Sequence, residues 1–365
     1  ALAAGHGRPG SLQSGAGQGG APVAAVELLA IANPGVLATV QDTGRRGFGQ
    51  IGVAPSGAAD SYACRLSNLL VGNLENAALI EITLMGFQAR FRCDAVAAVT
   101  GADLQPTLSG RPLAMWTAHQ VTAGDVLAFQ APVCGCRAYL AVGGGFHIPA
   151  VMGSRATNIG AGFGGIDGRM LRAGDRLPGC RPGHYLACAG RSVPDTLKAV
   201  PTSEWVLRVI PGPQDDQFPE ASRRQFYEAV YTVSGKSDRT GVRLEGPTIE
   251  KEAGAPDSIL SEGILGGSIQ VPGDGQPIIL MNETVTGGYR KIAAVIAADL
   301  PLLGQLAPGA VEPALDGRLG VARDLGDQRF EAASGGGLPL RVPASSPRPS
   351  ARSTRNPGRR SPAGR

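Results

Sequence analysis

From Gly263 to Ile292 the chain repeats one pattern: a glycine-rich turn, a short apolar run, a polar turn and another apolar run. Gly263-Ile-Leu-Gly-Gly-Ser-Ile-Gln-Val-Pro-Gly273 leads into Pro277-Ile-Ile-Leu-Met281, and Asn282-Glu-Thr-Val-Thr-Gly-Gly-Tyr-Arg-Lys291 follows. Apolar runs this short, bounded by Gly and Pro, build strands joined by tight turns. The polar turn carries amide, hydroxyl, phenol and ammonium groups, the equipment of a small-molecule site. The same punctuation runs through the chain, where glycine fills 54 of 365 positions and proline 28. Glycine at about twice its usual share, with few aromatics, favours a β-rich protein of hairpins over a helical bundle.

The formal charge of +4 is unevenly spread. Residues 331–365 hold seven Arg against one Glu, a balance of +6, which leaves −2 for the rest. A nearly neutral body removes most of the case for nucleic acid as a partner, because a footprint needs basic groups fixed on one folded face. Cys64, Cys93, Cys134, Cys136, Cys180 and Cys188 are too sparse for a disulfide framework, and Cys134-Gly-Cys136 lacks a second pair to complete a zinc site. His119, His147 and His184 show no metal spacing. No run reaches the ~18 apolar residues of a membrane span, and Pro22 to Ala32 lacks the basic start and small-residue finish of a signal peptide. A cytoplasmic protein without a membrane partner is expected.

Along the chain, residues 1–25 read as a disordered glycine-rich leader. A first β-barrel domain is expected over 26–190, a linker over 191–203 and a second β-barrel over 204–309. Asn33-Pro-Gly35 is a strong turn signal between strands at 26–31 and 36–40. Tyr62, Leu66, Leu69 and Leu70 have helical spacing, with Asp60 placed as N-cap and Gly72-Asn73 as the stop. Ala123-Gly-Asp125 and Ala173-Gly-Asp175 each launch a short apolar strand, and each Asp is expected to bond its own backbone two residues on. After Gly309 the periodicity is lost. Residues 310–365 read as a disordered Arg/Pro/Ser tail, with a shifted reading frame in the gene as one source. Two tandem barrels with a few short helices fit better than a doubly wound sheet, because long crossover helices are missing.

Several fragments, in order, resemble one family. They are Val40-Gln-Asp-Thr-Gly-Arg45, Pro55-Ser-Gly-Ala-Ala-Asp60, Thr100-Gly-Ala102, Tyr139-Leu-Ala-Val-Gly-Gly-Gly145, Gly153-Ser-Arg155, Gly164-Gly-Ile-Asp-Gly-Arg169, Ser237-Asp-Arg-Thr-Gly-Val-Arg-Leu-Glu-Gly246, Ser261-Glu-Gly263, Gly267-Ser-Ile-Gln-Val271, Thr286-Gly-Gly-Tyr289 and Gln305-Leu306. Together they resemble the carboxyltransferase-domain family. It includes the C subunit of bacterial 5-oxoprolinase, the matching half of the urea carboxylase carboxyltransferase domain, and KipA, the antagonist of a sporulation-kinase inhibitor; its older name is allophanate hydrolase subunit 2. The resemblance implies a mainly β fold of two cyclophilin-like barrels. It also implies ATP as co-substrate and two partner chains, the KipI-like B subunit and the A subunit of 5-oxoprolinase, which together open 5-oxo-L-proline to glutamate. A biotin-linked carboxyltransferase acting on urea or a similar amide is the first alternative, and a KipA-like binding protein the second. The sequence shows neither a Walker loop nor an Ala-Met-Lys-Met-like biotin site, so a nucleotide site is unconventional or shared, and biotin would arrive on another chain.

Lactam opening of the implied kind needs cations for a phosphoryl group and a holder for the substrate carboxylate. Arg239 and Arg243 are candidates for the carboxylate, since a guanidinium can bond both oxygens; structural salt bridges are the competing use. Gln270, Asn282 and Gln305 offer an amide to an amide, or else satisfy barrel-end backbone. Thr286, Gly287 and Gly288 can present N–H groups to a cofactor's anion, as glycine permits close approach, or form a plain hairpin. Lys291, one of four lysines, is the phosphate-binding candidate and is assigned with Gln305 to catalysis. Ser154 and Arg155 are candidate substrate contacts in the first domain. Ser56 has no nearby histidine, and Asp60 is already used as a cap.

Overall fold

The computed structural model describes residues 25–180, 183–199, 204–308 and 318–323. Most of the leader, residues 181–182 and 200–203, and most of the basic tail lie outside the described residues.

The first half builds eleven strands and a helix: β1 (Val26–Pro34), β2 (Leu37–Gln41), α1 (Ser61–Leu70), β3 (Leu79–Thr83), β4 (Phe87–Phe91), β5 (Ala95–Asp103), β6 (Thr107–Leu108), β7 (Arg111–Pro112), β8 (Ala118–Val121), β9 (Val126–Ala128), β10 (Cys134–Val142) and β11 (Arg176–Gly179). They form two sheets, ordered β11-β1-β4-β9-β6-β7 and β2-β3-β10-β5-β8. Both curl around one core, to which Leu29, Ile82, Phe87, Phe91, Val99 and Leu140 contribute. In β4 the alternation buries Phe87, Ala89 and Phe91 and exposes Gln88 and Arg90. Burial of each of the two phenylalanines contributes about 1.5–3 kcal/mol.

In β5 the small side chains serve two layers. Ala95, Ala97 and Val99 face the sheet core, whereas Val96 and Ala98 face a second cluster that includes Ala63, Cys64 and Leu70 of α1. Alanine at these positions lets the helix lie close to the sheet. Asp60 caps α1, accepting the Ala63 N–H at 2.9 Å, as its position in the sequence predicts.

The two Gly-Asp turns differ from expectation. Asp125 accepts the amide of Thr122 (2.8 Å) and Asp175 that of Arg172 (2.7 Å), so each carboxylate reaches three residues back. The glycine before each Asp has positive φ, 100° at Gly124 and 92° at Gly174, which turns the chain so that the side chain faces its own upstream backbone.

The second half is a closed barrel of β12 (Glu204–Pro211), β13 (Val230–Val233), β14 (Gly241–Glu245), β16 (Ser268–Val271), β17 (Ile278–Leu280), β19 (Arg290–Val295) and β20 (Arg318–Arg323). A two-stranded ribbon of β15 (Glu262–Gly263) and β18 (Thr286–Gly287) stands apart from it. Helix α2 (Glu220–Glu228) sends the buried Phe226 into a core shared with Leu207, Tyr231, Ile269, Ile279 and Ile292.

The expected structureless tail after Gly309 needs correction at β20. This strand pairs parallel with β12 and antiparallel with β13, closing the ring, and Val321 is buried in the core. Its apolar content is too short to show a period. The strand exists because two flanking strands supply its backbone partners.

Candidate functional site

The seam between the two halves is polar and buried. Glu81, in the middle of β3, is 1 % exposed. Its Oε2 accepts the Ala59 N–H at 2.8 Å and the Tyr139 hydroxyl at 3.0 Å, while its Oε1 pairs with Arg239 Nη1. Burial alone would raise the Glu81 pKa, but Arg239 and Arg137 overcome it and hold it below its ordinary value. Arg239 also donates through Nε to Glu283 at 2.8 Å and through Nη2 to the Gly57 carbonyl at 2.6 Å. Its turn is fixed by Asp238, which accepts the amides of Thr240 and Gly241. All three guanidinium nitrogens therefore face protein acceptors, so this side chain joins the two halves. The salt-bridge use of Arg239 is the one the structure has.

Gln305 closes the same seam from a 3-10 helix, Leu300–Gln305. Its Oε1 accepts the amides of Cys136 and Arg137, both at 3.2 Å, and its Nε2 donates to Asp60 Oδ2 (2.8 Å) and the Arg137 carbonyl (3.0 Å). The amide is thus spent on backbone and on the α1 cap. Asp60 is buried, and desolvation pushes its pKa up to about 6 despite hydrogen bonds from Ala63, Gln305 and Tyr62.

Ser154 and Arg155 lie in a second place, among the loops of the first half. Ser154 Oγ donates to Asp42 Oδ1 and the Arg155 N–H to Asp42 Oδ2, both at 2.6 Å. Arg155 Nε donates to the Ile148 carbonyl at 2.8 Å. Beside them Arg45, 2 % exposed, donates through Nη2 to the Ala156 carbonyl, and its guanidinium lies 4.6 Å from the Phe163 ring centroid. Ser56 holds φ at 54° and donates its N–H to the Asn282 carbonyl at 2.9 Å. Asn282 is exposed, and its backbone rather than its amide makes that link.

The third place is one end of the closed barrel, where the structure brings together Lys291, Gln270, Thr286, Gly287 and Gly288. Gln270 and Lys291 are opposite each other across β16 and β19, which sets neighbouring side chains on one face. Gln270 is 3 % exposed and donates to the Tyr289 carbonyl at 3.2 Å. A Cβ on Gly287 would press on the ends of the Ile264 and Gln270 side chains, so a larger residue there would have to move both. Gly288 accepts the Ile259 N–H at 2.7 Å. The Lys291 side chain, 7 % exposed, pairs through Nζ with Glu262 Oε1, which also accepts Gln214 Nε2 at 2.9 Å. The Glu262 carboxyl sits below its ordinary pKa, first because of Lys291 and then because of Gln214. Arg243 is exposed on β14, opposite Ile278, which in turn faces Gln270, so it lies two strands from Gln270 in the same cross-strand row.

Among the residues of these clusters that the sequence left without a role are Glu81, Glu262 and Gln214. Glu81 had a signal, a charged residue within the apolar run Leu79-Ile-Glu-Ile, which a buried strand tolerates only with a partner. Glu262 lay inside the Ser-Glu-Gly fragment without a role. Gln214 follows Pro211-Gly-Pro213 in a loop with no pattern to mark it.

Residues 51–311 match the family model for the carboxyltransferase domain, subdomain A and B. The 5-oxoprolinase C subunit of Escherichia coli K12 is 40% identical over 289 residues, covering 77% of this chain and 89% of that protein. The urea amidolyase of Saccharomyces cerevisiae is 34% identical over 295 residues, covering 77% of this chain and 16% of that protein. The crystal structure of Kluyveromyces lactis urea carboxylase superposes with a TM-score of 0.73 at 31% identity, over 81% of this chain and 27% of that one.

Proposed function

The chain belongs to the carboxyltransferase-domain family, subdomains A and B, and from that premise we propose that it is the C subunit of an ATP-dependent 5-oxoprolinase. One observation carries this reading: the similarity extends over 89% of the length of a 5-oxoprolinase C subunit, against 16% of a urea amidolyase. In the proposal the chain acts with the B subunit to activate 5-oxo-L-proline by phosphorylation, and the A subunit completes hydrolysis to glutamate in the cytoplasm. The chain is read as two domains, over residues 26–190 and from 204 onward, a division supported by their largely distinct cores, with the buried seam joining them.

The barrel end is the proposed reacting region. Lys291 Nζ supplies a fixed positive charge for a carboxylate or a transferring phosphoryl group, where charge is poorly screened. Gln270 holds an amide on the same face, and Thr286 to Gly288 bring backbone close to any ligand there. Arg155 is proposed as a contact from the first half, whereas Ser154, 1 % exposed with its hydroxyl bonded to Asp42 and Ala156, is held in its loop. Arg239 and Gln305 take no substrate role in this reading, because their polar atoms hold the seam.

A second reading, a carboxyltransferase half using carboxybiotin carried on another chain, is favoured by the likeness to urea carboxylase. Turnover separates the two. The full chain, expressed with neighbouring B and A subunits, is given ATP with and without 5-oxoproline, and ADP and glutamate are followed. Substrate-dependent formation of both supports the first reading. A stable complex that turns over only urea with carboxybiotin replaces it with the second.

A further inference from the structure

An ammonium group with 7 % of its side chain exposed is costly unless an anion is held against it. The anion that meets Lys291 does not come from the barrel wall. Glu262 lies on the ribbon strand β15, which pairs with Thr286 and Gly287 and is continued by backbone bonds from Ile264 to Val285 and from Ile259 to Gly288, not by bonds to a barrel strand. The same segment carries Leu260 and Leu265, 92% and 81% exposed, and is anchored through the buried Ile264, so few side chains hold it in place. Glu262 itself keeps 43% of its side chain exposed.

The two donors, in contrast, are held by the barrel. Lys291 is a residue of β19. Gln214 follows β12, and its Oε1 accepts the Lys291 N–H at 3.1 Å. That bond fixes the amide so that Nε2 faces Glu262 Oε1. A rigid ammonium and a rigid amide N–H thus converge on one oxygen of a carboxylate borne by a loosely packed ribbon. This is the arrangement of an oxyanion site whose occupant is tethered.

We propose that Lys291 and Gln214 form a binding site for an oxyanion, a carboxylate or a phosphoryl group, and that the Glu262 carboxylate fills it as an internal stand-in which the ligand displaces. This rests on the barrel end being the functional region. While Glu262 is in place only a fraction of the molecules can accept a ligand, and the apparent affinity is lowered by that fraction. Displacement exchanges one anion for another on Lys291, so the ammonium stays paired, while the released Glu262 carboxylate, already 43% exposed, returns to water.

Direct binding to the full chain, without its partners, tests the site. Inorganic phosphate and 5-oxoproline are titrated calorimetrically into wild type, Glu262→Gln, Lys291→Met and the double variant, with circular dichroism and thermal unfolding confirming that each is folded. Glu262→Gln should tighten at least one of the two by about tenfold. Lys291→Met should lose that gain in the double variant. The ligand that tightens tells a carboxylate from a phosphoryl source. Affinities for both within about twofold of wild type in Glu262→Gln overturn the proposal. So does undetectable binding by wild type and Glu262→Gln up to about 10 mM, or retained tight binding in the double variant. The proposed function is judged separately: tighter binding in Glu262→Gln with no 5-oxoprolinase turnover keeps this site and removes that function, and turnover with unchanged binding does the reverse.

Discussion

Glu81 and Arg239, separated by 158 residues of chain, form a buried ion pair that joins a strand of the first half to a turn of the second. Neither side chain is left for solvent, at 1 % and 7 % exposure. Such a pair adds little net stability over an apolar contact, yet removing one member leaves the other charged and buried.

Glu81→Gln is therefore expected to destabilise the chain by about 3–5 kcal/mol. Denaturant unfolding of wild type and variant measures it directly. A loss below about 1 kcal/mol would show that Glu283, the second carboxylate on Arg239, is enough to pair the buried guanidinium.

Gln305→Leu is expected to cost about 3 kcal/mol. The change strands the Cys136 and Arg137 amides, the Arg137 carbonyl and the Asp60 carboxylate together, and each buried orphan costs about 1–3 kcal/mol before relaxation. Thermal unfolding gives the value, and a stability equal to wild type would mean that water reaches the seam.

Asp60 gives stability a pH dependence of known sign. Its carboxyl titrates near 3.8 in the unfolded chain and at about 6 in the native one. Below pH about 4 both states hold the proton, and this group costs nothing. Between about 4 and 6 the native state keeps a proton that the unfolded chain has lost, so stability falls as pH rises and levels off above about 6. The stability of wild type minus that of Asp60→Asn should fall by roughly 2–3 kcal/mol from pH 4 to pH 7. A difference that stays flat would place the carboxyl near its ordinary pKa.

In the complex with B and A subunits, Lys291→Met should lower 5-oxoproline-dependent turnover by about 100-fold or more, as removal of a fixed charge at developing negative charge does. Arg243→Ala should stay within about twofold, because that side chain is exposed on β14. The reverse ranking would move the reacting region off the barrel end.

The local elements were legible because local chemistry decides them. Asp60 announces its helix by its cap, Asn33 accepts the Gly35 N–H at 3.0 Å in the expected turn, and Ser268–Val271 is a strand with the bounds its glycine and proline neighbours set. The ordered fragments also carried the family. The division of labour among polar residues was not legible. Arg239, Gln305, Gln270 and Lys291 look alike as polar residues near glycine turns. Only the fold decides that the first two meet Glu81 and Asp60 in the seam, and that the last two share a barrel end with Glu262 and Gln214. Strand β20 was hidden for the same reason: its pairing comes from β12 and β13, far earlier in the chain.

That pairing also sets an order of events during synthesis. Strand β20 lies between the strand that begins the second barrel and the next one made, so neither β12 nor β13 finds that neighbour until residue 323 has left the ribosome. At ordinary translation speeds the nascent barrel waits on the order of ten seconds with a gap in its wall. During that interval its unpaired edges invite strands from other chains, which makes the arrival of Arg318–Arg323 the step that commits the second half to folding alone.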